Sequence, residues 1–195
     1  MTRLPIVLTL LTRAGPEINL TRTILNRPGV LAAFVLLCGL FGVGTWLVAR
    51  ALGWHRIYSL LAAGGLALAI AVTLVRPGGH VPEPGTVAMC LSDHFSFHGG
   101  LQVLNILMLT PFAFFGTLAT RRPITMMVAS ALLSAGIELT QAWTGLGVCQ
   151  KQDFLNNTFG AVVAATAAWL LLVAVRRNRA ADSHQHQVGR PLERV

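Results

Sequence analysis

The sequence predicts an all-α fold, a polytopic transmembrane helical bundle with about five membrane-spanning helices, and three observations carry that prediction. Apolar residues make up 54% of the 195 and charged residues only 11%, whereas soluble domains are roughly a quarter charged. The mean hydropathy is positive, +0.64. The apolar residues also gather into long runs, and a segment inside a bilayer has to satisfy its backbone groups internally, which a helix does.

Five runs reach spanning length: Val30–Ala49, Ile57–Val75, Leu101–Ala119, Ile124–Trp143 and Thr158–Val175. Each lies near the roughly 20 residues that a hydrocarbon core of about 30 Å requires. They define a bundle over residues 29–176. Residues 1–28 form an arginine-bearing leader; its run Leu4–Leu11 is too short to span and lacks a small-x-small cleavage site after it. Residues 177–195 are polar, arginine-rich and aperiodic, which predicts a disordered tail. Gly39, Gly42 and Gly44 in the first run, and Gly160 four positions before Ala164 in the last, fit either close helix contact or the ordinary glycine content of membrane helices. Pro111 removes a backbone hydrogen bond in the third run and predicts a kink there, about a turn and a half after Asn105.

The connections differ in charge. Residues 50–56 and 120–123 hold Arg50, Arg56, Arg121 and Arg122, and the chain past Val175 begins Arg176, Arg177, Asn178, Arg179. The longer connections, residues 76–100 and 144–157, carry one basic residue each, Arg76 and Lys151. That bias places the long connections outside and the C-terminus in the cytoplasm, although Arg3, Arg13, Arg22 and Arg27 of the leader would then lie outside too. Cys90 and Cys149 sit one in each long connection, so in an oxidising space they are candidates for a disulfide, with two unrelated thiols as the alternative. Cys38 reads as a small apolar residue of the first span. A sequence pI near 11.3 raises the question of nucleic acid, but the arginines cluster at the ends of apolar runs without interleaved aromatics. The partner is the lipid bilayer, with no nucleic acid.

The run Ile124–Trp143 contains a carboxylate, Glu138, with Gln141 three positions on and on the same helix face. A lone ionised carboxylate is costly in hydrocarbon, so Glu138 calls for polar neighbours or a wet cavity. It lies about five residues from the end of its span, roughly 8 Å in depth. Asp153 and Asn157, four apart on the first turns of the last helix, and Asn105 in the third span fall at the same membrane face. The predicted ligand-binding set is therefore Asn105, Glu138, Gln141, Asp153 and Asn157, in an extracytoplasmic cleft walled by the last three spans. The rival is an interhelical clamp in which Glu138 bonds to Asn105 or Asn157 to hold the bundle. In an enzyme, Glu138 and Asp153 would be the catalytic pair, as acid or base and its partner. Asp93, His94 and His98 do not make a metal site, because Gly99 and Gly100 follow at once and no third histidine stands at a fixed offset. No nucleophile elbow or phosphate-cradling loop occurs, and no cofactor is expected.

LNILMLTPFAFFG, an IELTQ helix and QDFLNNTFG, in that order, resemble the VanZ-like family of small bacterial membrane proteins, named for a teicoplanin-resistance protein. The resemblance covers about residues 93–172 and maps the family's marked positions onto Asn105, Pro111, Phe112, Glu138, Gln141, Asp153, Asn157 and Gly160. It implies a cell-envelope role, lowered sensitivity to teicoplanin-type lipoglycopeptides, and a lipid-linked cell-wall precursor or glycopeptide as partner. The chain departs from the family pattern at Ala113, where a glycine is usual. It also has Lys151 between glutamines where an arginine is frequent, which keeps the charge and loses the planar fork. A membrane-embedded enzyme acting on an isoprenoid or lipid-linked substrate is the alternative. A transporter or channel subunit ranks third, since one intramembrane acid and no discontinuous repeat pair make a poor ion pathway.

Overall fold

The computed structural model describes residues 28–74, 100–144 and 149–188. Among these the chain forms helices α1 (Pro28–Leu52), α2 (Arg56–Leu74), α3 (Gly100–Met108), α4 (Thr110–Thr120), α5 (Pro123–Thr144) and α6 (Lys151–Val188), and no strand. α3 and α4 are two parts of one apolar span, so the described helices supply five segments long and apolar enough to cross a membrane. The leader, Cys90, Asp93, His94 and His98 lie outside the described residues.

The helix ends follow from local chemistry. α1 opens on Pro28, whose missing N–H is no loss in a first turn. It closes at Gly53, where φ is 67° and the Trp54 N–H donates to the Ala49 carbonyl at 2.9 Å, a left-handed glycine cap. α4 ends on Arg121, also left-handed at φ 59°, with its N–H on the Thr117 carbonyl at 2.8 Å; Pro123 then starts α5. The kink expected from Pro111 is a break at Leu109. There the Thr110 hydroxyl reaches back to the Ile106 carbonyl at 2.9 Å, and the Ala113 N–H resumes the ladder on Leu109 O at 3.0 Å.

α6 is the central element, packing against α3, α4 and α5, while α2 packs on α4 and α1 on α2. The core is built from small side chains: Ala69 of α2, Leu109 at the break, Ala113 of α4, and Ala161, Ala164 and Ala165 of α6. In lipid, close van der Waals packing drives helix association, and small residues permit it. Large apolar residues such as Leu36, Leu40, Leu132 and Leu170 point outward instead.

The glycines separate into two kinds. A Cβ at Gly39 would meet nothing within 4 Å, so this glycine reflects ordinary composition. A Cβ at Gly160 would overlap the Ile106 carbonyl, and one at Gly65 would lie 2.8 Å from the Phe112 nitrogen. Those two glycines set the α6–α3 and α2–α4 approaches. The expectation of a disordered tail from residue 177 is corrected in part, because α6 runs on to Val188. Once a membrane span has nucleated the helix, the arginines and alanines that follow are good enough helix formers to extend it.

A buried polar cluster at one end of the bundle

α5 carries Ser130, Ser134, Glu138 and Gln141 at spacings of four, four and three, and all of them are buried. That stripe faces the first turns of α6, where Gln152, Asn156 and Asn157 are buried as well. Glu138 is only 7% exposed, which places its carboxylate inside the protein and away from acyl chains.

Its partner is a backbone group. The Gln150 N–H donates to Glu138 Oε2 at 2.7 Å. The Gln150 carbonyl in turn accepts from the Asp153 and Phe154 N–H groups at 3.0 and 3.3 Å, so Gln150 occupies the cap position of α6. The carboxylate therefore sits against the positive end of the longest helix in the bundle, where unsatisfied N–H groups and the helix dipole favour negative charge. The clamp expected from Glu138 to Asn105 or Asn157 is not the one that forms. Asn157 Nδ2 donates instead to Ser134 Oγ at 3.1 Å, and Asn105 is half-buried on α3.

Gln141 Nε2 reaches the Thr73 carbonyl of α2 at 3.4 Å. Asp153, half-buried on the first turn of α6, is close enough to Glu138 for the two carboxylates to repel. The structure thus gathers Glu138, Gln141, Asp153 and Asn157 at the α5–α6 junction. Cys149, just before α6, is disulfide-bonded, whereas Cys38 in α1 is free.

At this junction several polar atoms find no hydrogen-bond partner among the described residues: both amide atoms of Asn156, Asn157 Oδ1 and Gln141 Oε1; Ser130 Oγ and, towards the other end of the bundle, Thr117 Oγ1 are in the same state. Asn156 and Asn157 are fully buried, at 0% exposure. Each buried, unpaired polar group costs about 1–3 kcal/mol, so their concentration at one junction marks a place where stability is given up for something else.

Ser130, Ser134 and Asn156 extend the buried polar stripe beyond the residues predicted from sequence. The serine stripe had a signal, since its spacing runs straight into Glu138. The Gln150 N–H had none, because a backbone donor leaves no trace in residue type.

Residues 81–173 match the sequence profile of the VanZ/LLP1 family. No curated protein and no solved structure matches the chain. The matched segment takes in α3, α4 and α5, and α6 as far as residue 173, so Glu138, Gln141, Asp153, Asn156 and Asn157 all fall inside it, while α1 and α2 precede it.

Proposed function

Because residues 81–173 match the VanZ/LLP1 family profile, we propose that this multi-pass membrane protein works in a bacterial cell envelope, holding a lipid-linked or glycopeptide-like polar group at the α5–α6 junction and lowering sensitivity to teicoplanin-type lipoglycopeptides. The observation that carries the reading is the fully buried Asn156, whose amide oxygen and nitrogen both lack a partner among the described residues. An amide offers one acceptor and two donors. With Gln141 Oε1 and Asn157 Oδ1 also unpartnered, the junction has spare capacity of both kinds, and Glu138 and Asp153 add negative charge for a cationic or hydroxyl-bearing group.

The test is expression in a glycopeptide-sensitive bacterium, with the inhibitory concentration of teicoplanin as readout. Wild type raises it. Asn156→Leu removes that protection while raising the thermal stability of the purified protein by about 1 kcal/mol, because an unpaired amide becomes an apolar side chain of similar size. Full protection by the leucine variant would sink the binding role.

One observation favours a second reading: two acids share the α5–α6 junction, Glu138 accepting the Gln150 N–H at 2.7 Å and Asp153 standing three residues further on in the first turn of α6. In that reading the protein is an enzyme acting on an isoprenoid or lipid-linked substrate, with Glu138 as general acid or base, and substrate turnover ceases in Glu138→Gln.

Of the three cysteines in the sequence, the bonded state of Cys149 and the free state of Cys38 support Cys90 as the bridging partner. Such a bridge supports an oxidising, extracytoplasmic setting for the Glu138 face, with the C-terminus in the cytoplasm. In whole cells, a membrane-impermeant thiol reagent is expected to label Cys149 only after reduction. Labelling before reduction would remove the bridge, and labelling only after lysis would invert the topology.

A further inference from the structure

At the end of the bundle opposite Glu138, the α1–α2 turn and the α4–α5 turn lie side by side, joined by the His55 N–H on the Ala119 carbonyl at 3.4 Å. Between them opens a cleft of about 710 Å³ whose lining includes Trp54, His55, Arg56, Arg121 and Arg122. The three arginines come from two turns well separated in sequence and are exposed. None of them has an ion-pair partner among the described residues. Arg121 holds a left-handed backbone at φ 59°, a conformation that glycine or asparagine adopts at lower cost. A guanidinium is thus kept in the cleft against a local backbone preference.

A second groove, of about 410 Å³, shares Trp54 with the first and is lined along α1 by Leu40, Phe41, Gly44, Thr45 and Val48. A side chain at Gly44 would meet nothing within 4 Å, so the glycine keeps this groove open. A basic cleft at the end of the spans therefore continues into an apolar channel on the outermost helix, with an indole at the junction. Tryptophan favours that depth, between headgroup and hydrocarbon.

We propose that the two together form a binding site for one anionic phospholipid of the adjoining leaflet, its phosphate on Arg56, Arg121 and Arg122 and an acyl chain in the α1 groove. Guanidinium forks match phosphate oxygens bidentately, and basic pockets between membrane helices are suited to anionic head groups. Free phosphate shares the headgroup chemistry but has no use for the apolar groove. The site lies away from the Glu138 cluster and depends on neither the function proposed for it nor the choice of leaflet.

The test uses the full chain purified in detergent, titrated by native mass spectrometry with dioleoylphosphatidylglycerol, dioleoylphosphatidylcholine and inorganic phosphate. Phosphatidylglycerol is expected to bind in preference to phosphatidylcholine and to resist displacement by excess phosphate. Arg56→Gln with Arg122→Gln weakens phosphatidylglycerol by roughly tenfold or more, with thermal melting as the check on folding. The doubly lysine-substituted protein keeps the charge but loses the planar forks, and binds phosphatidylglycerol more weakly than wild type and more tightly than the glutamine pair. Gly44→Phe, which fills the groove without touching the arginines, weakens both lipids. Equal phosphatidylglycerol affinity in wild type and the glutamine pair overturns the site. Displacement by phosphate together with a silent Gly44→Phe also overturns it, by reducing the cleft to a simple anion site.

Discussion

Gly160→Val is expected to leave little or no folded protein in the membrane. A Cβ at this position overlaps the carbonyl oxygen of Ile106 and crowds that residue's backbone, so no side-chain rotation relieves the clash and α6 has to move away from α3. The Ile106 carbonyl is not free to retreat, because it also accepts the Thr110 hydroxyl at 2.9 Å where the span breaks ahead of Pro111. Overpacking a core costs about 1–3 kcal/mol even when side chains can yield. Here the separation also loosens the packing around Asn156 and Asn157, one turn earlier on α6. Against a total stability of about 5–15 kcal/mol, a rigid backbone clash of this kind removes most of the margin. Gly160→Ala carries the same first carbon and is expected to lower the melting temperature and the yield of monodisperse protein measurably. Gly39→Ala, on an open face of α1, should be neutral or stabilising by about 0.5–1 kcal/mol. Normal melting of Gly160→Ala would mean that the two helices do not approach so closely.

The contrast between those glycines also shows what the sequence holds and what it leaves out. Run lengths place the first four spans to within a few residues, because the bilayer thickness is a strong external ruler, whereas the last begins at Lys151, seven residues before the apolar run at Thr158. Pro111 places the break, since a missing N–H is a property of the residue itself. Gly39 and Gly160 look alike in the sequence and differ only in what stands opposite, Gly160 meeting a backbone carbonyl on another helix. Glu138 is legible as an acid that calls for company, and the structure buries it on α5 against the start of α6. Its actual hydrogen-bond partner, the Gln150 N–H, is legible nowhere, because every residue but proline carries the same donor. The end of α6 is misread for a related reason. Polar composition past residue 176 signals exposure, and an exposed helix extended from a membrane span needs only favourable propensity, not an apolar face.

The Glu138 series is expected to separate the acid's structural work from its functional work. Glu138→Ala removes the acceptor of the Gln150 N–H, uncaps α6 and leaves a void beside Ser134. An orphaned buried donor costs about 1–3 kcal/mol and a large-to-small change in a core adds to it, so abundance and protection against teicoplanin should fall together. Glu138→Gln behaves differently. Its amide oxygen still accepts from Gln150, so the loss is confined to the attraction between a negative charge and the helix N-terminus, about 0.3–1 kcal/mol at ordinary sites and up to ~2 in buried ones. Relief of the repulsion from Asp153 offsets part of that loss, which leaves the glutamine variant folded and close to wild-type abundance. Protection by Glu138→Gln is then the discriminating number. If the carboxylate meets the bound polar group or handles its proton, protection drops several-fold at unchanged abundance, and Asp153→Asn, which keeps the shape of the first turn of α6, shows the same split. If both variants protect fully, the charge at 138 serves the α5–α6 joint alone, and ligand recognition passes to the amides of Asn156, Asn157 and Gln141.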